Sequence, residues 1–194
     1  MLSLAVALPS RRDERRARSR EAILSTAREL IAAGGLAATS TQKVALAAGL
    51  SHGALFVHFP RREDLLAALV GGLAAHFEAG LGPPPSSLAT ELALQLERLA
   101  AQEKLYARLL AEETALPASA RESLRALERV LSARVAAAFA ADRPRLGLRP
   151  LSPRLVAAAW LAMLQRALLR GETGAALPEW GGEIRRFLLE LVAA

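Results

Sequence analysis

Apolar side chains recur every three or four residues along almost the whole chain, and no stretch alternates β-branched or aromatic residues with period two. A chain patterned this way buries its apolar stripes by packing helix on helix, so an all-α fold is expected. Ile23, Ala27, Leu30 and Ile31 mark one face of a first helix over residues 19–33, which Gly34 and Gly35 stop. Thr39, three residues before Gln42, has the spacing of a capping box and opens a second helix that runs to residue 48 and ends at Gly49. Ser51 caps a third helix reaching residue 58. After Pro60 a longer fourth helix turns Leu65, Leu66, Leu69, Leu73 and Phe77 inward.

The stretch GLGPPPSS at residues 80–87 interrupts the pattern, because consecutive prolines cannot continue a helix. It predicts a domain boundary: a flexible basic arm over 1–18, a helical unit with its connecting helix over 19–80, and a second helical unit over 81–194. Ser87 opens a helix carrying Leu88, Leu92, Leu96 and Leu99, and another follows near 103–114. Ser119 with Glu122 predicts a capping box for a long helix whose inner face is Leu124, Leu127, Leu131, Val135 and Phe139, followed by a loop over 142–151. Ser152-Pro153 starts a helix containing Trp160, Met163 and Leu164, which Gly171 and Gly174 end. The last helix, near 178–192, places Ile184, Phe187, Leu188 and Leu191 at i, i+3, i+4 and i+7.

Composition narrows the function classes. A chain of 194 residues that is 53% hydrophobic can bury a core, and without cysteine it has neither disulfides nor thiolate chemistry, which fits a reducing compartment. The formal charge is +6, but its distribution is more telling: RRDERRARSR at 11–20 carries six arginines against two acids, whereas 65–194 holds 15 basic and 13 acidic residues. The positive field is thus concentrated at the N-terminal end, where it attracts polyanions. The opening MLSLAVALPS is apolar but precedes the charges, the reverse of a secretory signal, and is expected to fray. The longest uncharged apolar runs, 65–77 and 155–165, fall short of the roughly 18 residues that suggest a membrane span. A cytoplasmic protein with no membrane partner is expected.

Residues 49–59, GLSHGALFVHF, concentrate two of the five phenylalanines and two of the three histidines. Two readings compete. Gly49 to Gly53 fits the G-x-S-x-G pattern of a serine nucleophile, which would make the chain an esterase; but that device needs a strand leading into Ser51 and an acid and then a histidine downstream, and only the helix-patterned His58 and His76 follow. A helix-turn-helix asks for a small residue on the first helix (Ala45), a residue tolerant of positive φ in the turn (Gly49), an apolar plug (Leu50) and an apolar return from the second helix (Leu55). All are present, with Val44 and Phe59 closing the small core. No catalytic residue is assigned and no cofactor is expected. His52 and His58 lie six positions apart and off a common helical face, so no metal pair is expected either.

Over residues 20–66, REAILSTARELIAAGG, then TSTQKVALAAGLSHGALFVHF, then RREDLL, the chain resembles the DNA-binding domain of the TetR family of bacterial transcriptional regulators. The resemblance implies an N-terminal helix-turn-helix domain joined through a long helix to a C-terminal helical domain for ligand binding and dimerisation. It implies that Thr41 and Gln42 approach DNA, that Ser51, His52, Gly53, Ala54, Phe56, Val57 and His58 belong to the recognition helix, and that Arg62 grips a phosphate. The partners implied are a double-stranded DNA operator, a small-molecule effector and a second copy of the chain. The chain departs from the family pattern in having Phe56 in place of a tyrosine, Val57 where an aromatic is common, and Arg61 where a serine often caps the fourth helix. A helical adaptor that binds another protein is the remaining class.

One recognition helix reaches only three or four bases, so two copies are needed to specify a site. The resemblance assigns dimerisation to the last two long helices, with Trp160, Leu164, Ile184, Phe187, Leu188 and Leu191 at the interface and Ala157, Ala158, Ala159 and Ala162 permitting close approach. It also implies an effector cavity enclosed by the helices of residues 88–141. Glu113 shares a stripe with Tyr106, Leu109 and Leu110, and His76 one with Leu65, Leu69 and Gly72. An inward carboxylate needs an arginine or a ligand as partner. Phe77, Trp160 and Met163 are candidate apolar walls, with core packing the alternative. Effector binding is expected to tilt the fourth helix, where Gly71-Gly72 is a candidate soft point.

Overall fold

The computed structural model describes residues 10–37, 39–83, 87–170 and 176–193. Among these there are nine α-helices, one 3-10 turn and no strand. In chain order they are α1 (Arg11–Gly34), α2 (Thr41–Ala47), α3 (His52–His58), α4 (Arg62–Leu81), α5 (Leu88–Ala100), α6 (Glu103–Ala111), the 3-10 turn Glu113–Ala115, α7 (Ala118–Leu146), α8 (Pro153–Arg170) and α9 (Ala176–Val192). Helices α1 to α4 form the N-terminal unit. In the body α7 packs against α4, α5 and α8, α9 packs against α8 and α5, and α1 reaches across to α6. One continuous apolar cluster runs from Ile23 through Leu55, Leu69, Tyr106, Leu127 and Trp160 to Val192.

Helix α4 supplies the spine. Eight of its side chains are buried, among them Leu65, Leu66, Leu69, Leu73 and Phe77 as the periodicity predicts, each adding on the order of 2 kcal/mol of burial. By length and composition α4 is also apolar enough to cross a membrane; here its apolar face is turned into the protein's own core. Gly71 and Gly72 lie mid-helix, and a β-carbon at Gly71 would come no closer than 3.8 Å to Ser123 Oγ, while at Gly72 it would meet nothing within 4 Å. With room for a methyl group and helical backbone already in place, Gly71→Ala and Gly72→Ala should each stabilise the protein by about 0.5–1 kcal/mol. Chemical denaturation reads this directly, and a loss of stability would mean that the glycines serve a bend.

Several helix ends differ from expectation for identifiable reasons. α1 begins at Arg11 and not near residue 19, because Ser10 and Asp13 form a capping box ahead of the arginine run; residues 11–18 of the expected arm are therefore helical, and 1–9 lie outside the described residues. α2 is capped by Ser40, whose hydroxyl accepts from Lys43 N–H at 3.2 Å. Thr39, expected as that cap, is buried and donates to the Gly35 carbonyl at 2.9 Å. Ser119 lies inside α7, whose N-cap is Pro117 with no side-chain bond. The same helix continues through the expected loop at 142–146 and past Pro144, held by Asp142, which is buried and accepts from Leu88 N–H at 2.7 Å. α6 ends at Ala111 and the 3-10 turn completes the segment. Gly171 and Gly174 lie outside the described residues, and α9 begins at Ala176.

Candidate functional site

The junction of α2 and α3 is built by a glycine turn. Gly49 has φ +69°, its N–H donates to Leu46 O at 3.1 Å, and the Leu50 N–H donates to Ala45 O at 2.9 Å. This pair of bonds is a Schellman motif, which sends the chain sharply out of α2. Ala45, Val44, Leu55 and Phe59 are buried beneath the junction, and Leu50 packs half-buried against them. Ser51 N-caps α3, its hydroxyl accepting from Ala54 N–H at 3.1 Å. Since Ser51 is reached from a helix and a turn, and its oxygen is engaged as a cap, it has neither the strand nor the base that a nucleophile elbow requires.

The rest of α3 faces outward. Ser51, His52, Gly53, Phe56 and Val57 are exposed, Ala54 and His58 half-buried, and a β-carbon at Gly53 would meet nothing within 4 Å. On α2 Gln42 and Lys43 are exposed and Thr41 is half-buried. Thr41 Oγ1 and His52 Nε2 share a hydrogen bond of 3.1 Å, and the His52 ring meets Phe56 edge-on at 4.6 Å between centroids. The first residues of the two helices are thus tied together, and the His52 ring is oriented before any partner arrives. Leu46, 81% exposed, and Val57, 68% exposed, add apolar tips to the same helix pair.

The basic run of α1 forms a ridge beside α3. Arg20 lies over the Phe59 ring at 5.1 Å. Burial first, then the charges of Arg16 and Arg20, hold His58 below the usual histidine range. Arg16, Arg20 and Lys43 are therefore additions to the sequence-derived set. The arginine run was the available signal, but a run read as an arm has no fixed direction, whereas a helix aims it.

Arg62 requires a correction. Its Nη2 donates to Leu36 O at 2.7 Å and its Nε to Thr39 O at 3.4 Å, so the guanidinium expected on a phosphate braces the turn between α1 and α2. The same turn is gripped from the body. Glu112, between α6 and the 3-10 turn, accepts from Leu36 N–H at 2.9 Å. Gly35 has φ +73°, and a β-carbon there would collide with the Glu112 carboxylate. Nothing in the spacing of Glu112 singled it out, because the partner is a backbone N–H far away in sequence.

In the body the expected pocket residues separate. His76 is exposed, not inward. Phe77 and Trp160 are core side chains, and Trp160 Nε1 donates to Gln95 Oε1 at 2.9 Å. Met163 packs half-buried against the core, Tyr106 is buried, and half-buried Glu113 lies 3.8 Å from Arg125 Nη2. Of the expected dimer residues, Trp160, Leu164 and Leu188 are buried within their own subunit and cannot form an interface. Ile184 is half-buried, while Phe187 (56%) and Leu191 (39%) are exposed. Leu155, Leu169 and Trp180 extend the exposed apolar set on α8 and α9.

A buried ionic network lies at the centre of the body. Arg134 of α7 donates through Nε and Nη2 to the two oxygens of Glu91 at 2.9 and 2.8 Å, and Gln95 Nε2 donates to Glu91 Oε1 at 2.7 Å. Arg134 also donates to the carbonyls of Leu81, Gly82 and Pro83, closing the C-terminal end of α4. Both ends of α4 are therefore held by arginines, Arg62 at the first turn and Arg134 at the last.

Residues 23–69, which contain this helix-turn-helix and the start of α4, match the family model "Bacterial regulatory proteins, tetR family". A TetR-family transcriptional regulator from Agrobacterium tumefaciens has the same fold over 92% of this chain and 100% of its own, with TM-score 0.76 and 26% identity. The chain belongs to the TetR family. Other TetR-family folds superpose equally broadly: PfmR from Thermus thermophilus (TM-score 0.69, 24% identity, 87% of this chain and 97% of that one) and AibR, crystallised with isovaleryl coenzyme A and operator DNA (TM-score 0.67, 20% identity, 90% and 97%). No curated protein sequence is significantly similar. As a TetR-family protein the chain is a regulator and not an enzyme, which leaves Ser51 its structural role as a cap.

Proposed function

We propose that this chain is a sequence-specific DNA-binding transcriptional regulator, a repressor that leaves its operator when a small molecule binds the body. The observation that carries this is the turn at Gly49, which holds the small and polar start of α3 outward beside the α1 arginines. In this reading Gly53 and Ala54 let the α3 N-terminus approach a duplex, Thr41, Gln42, Ser51, His52, Phe56, Val57 and His58 contact it, and Lys43, Arg16 and Arg20 add phosphate contacts. Arg62 positions the turn. The fold shared with AibR, a protein seen with both an acyl coenzyme A and operator DNA, supports effector response. Fluorescence anisotropy on the chain's own upstream DNA tests the reading: affinity should fall steeply with salt, with a log–log slope of about −0.9 per phosphate contacted. A flat salt dependence would favour the protein-binding adaptor.

His58 gives this interface a pH signature. In the free protein its folded pKa lies below the unfolded value of about 6.5, so its contribution to stability is present above that pH and is lost as pH falls through the folded pKa. A nearby phosphate reverses the bias by favouring the imidazolium. DNA binding then takes up a proton, and affinity rises as pH falls below neutrality. His58→Gln should flatten that dependence, and an unchanged pH profile in the variant would remove His58 from the interface.

The regulator is proposed to act as a homodimer through the exposed apolar side chains of α8 and α9. Phe187 and Leu191 replace the buried members of the sequence-derived set, with Trp180, Leu155 and Leu169 beside them as candidates. Phe187→Glu combined with Leu191→Glu should yield a folded monomer by sedimentation and cost operator affinity about as much as the second half-site supplies. A variant that stays dimeric places the interface elsewhere.

A further inference from the structure

Tyr106 is the one tyrosine of the chain. It is 1% exposed on α6, and its hydroxyl has no hydrogen-bond partner among the described residues. Leaving a buried hydroxyl unpaired costs about 1–3 kcal/mol, so a position like this asks for an explanation. The charged groups it faces are acidic. Burial first, and then the carboxylates of Glu128 and Glu113, push the phenol well above its ordinary range, which keeps it neutral.

Glu128 of α7 is half-buried and accepts from Gln165 Nε2 of α8 at 2.6 Å. Its own pKa is raised by burial and by Glu113, against the opposing effects of Gln165 and Arg125. Arg125 is the cation at hand. It meets Glu113 at only 3.8 Å and is 57% exposed, too loose to neutralise two carboxylates. The end of α6, the 3-10 turn, α7 and α8 thus gather a neutral buried oxygen, two carboxylates and an amide in one region of the body, with net negative charge.

We propose that Tyr106, Glu113, Glu128 and Gln165 form the effector site, and that the effector is an organic amine whose ammonium head is received there. This deepens the regulator reading and rests on it. An ammonium group has donors for both carboxylates and for the tyrosine oxygen, whereas an anion would be repelled and a neutral ligand would leave the two acids facing each other. The site also has a route to the helix-turn-helix. Glu113 opens the 3-10 turn, and Glu112 immediately before it holds Leu36 N–H, so a shift of Glu113 toward a bound cation strains the bond that positions the turn between α1 and α2.

The lone tyrosine makes the test specific. Full-length protein carrying ring-labelled tyrosine is titrated with phenethylammonium, with the isosteric neutral phenethyl alcohol and with the anion 3-phenylpropionate, following the single tyrosine resonance set by NMR. The expected result is a saturable shift with the ammonium at least about tenfold tighter than with the alcohol, a weakening of about tenfold in each of Glu128→Gln and Glu113→Gln, and no response to the anion. The inference is overturned if millimolar ammonium leaves the resonance unmoved, if the alcohol or the anion acts as strongly, or if both glutamine variants respond like the parent. Thermal melts of the same samples confirm that the variants are folded. Salt-dependent DNA binding by the same preparations separates the two readings: retained without a tyrosine shift, it sinks only the amine site; lost with the shift intact, it sinks only the DNA reading.

Discussion

Replacing Arg134 with methionine should lower the unfolding free energy by about 3–5 kcal/mol, because it strands a carboxylate in the core. Glu91 is 0% exposed and Arg134 12%, so the pair is desolvated and neither charge can turn to water. Gln95 alone would be left to satisfy Glu91, while the carbonyls of Leu81, Gly82 and Pro83 would lose the donor that closes α4. Urea unfolding measures the loss as a shift in midpoint. Removing both charges, as Glu91→Leu with Arg134→Met, should recover most of it, since the largest penalty is the unpaired ion and not the missing attraction. A double variant no more stable than the single one would mean that Arg134 matters mainly through the α4 carbonyls.

Gly53→Glu should abolish high-affinity operator binding while making the protein slightly more stable. Gly53 is exposed, in helical backbone, and open to a side chain. Glutamate there removes the glycine penalty and places an anion at the start of α3, where the helix dipole favours it, a gain of about 1 kcal/mol. In the proposed complex the same carboxylate faces phosphate, and like charges brought together at an interface cost several kcal/mol, or about two orders of magnitude in affinity. Opposite signs in the two readouts make the result hard to mistake for misfolding. Unchanged affinity at low salt would move the DNA surface away from α3.

The features legible in the sequence are those set by local backbone chemistry and periodicity. Ser51 as a cap, Gly49 as the turn residue, Ala45, Leu55 and Phe59 as the junction core and the inward face of α4 follow from spacing, and the structure has them. The features that were not legible involve partners distant along the chain. Arg62 looked free for a phosphate because its actual acceptors are backbone carbonyls at Leu36 and Thr39. Trp160 and Leu188 lie on apolar stripes that suit an interface or a core equally well, and only tertiary packing decides which. Pro144 read as a loop because proline breaks helix interiors; near a C-terminus, where few bonds remain to be lost, α7 runs past it. Glu91 with Arg134, separated by 43 positions, carries no local signature at all.

The turn at Gly35 and Leu36, held by Glu112 from one side and Arg62 from the other, bears on how this protein can be dissected. A fragment cut at the proline segment would keep Arg62 but discard Glu112, baring the Leu36 amide, and it would lose Arg134 from the tail of α4 as well. Such an excised reader would be a different object from the same residues in the intact chain. Affinities measured on it would describe a head released from its neck.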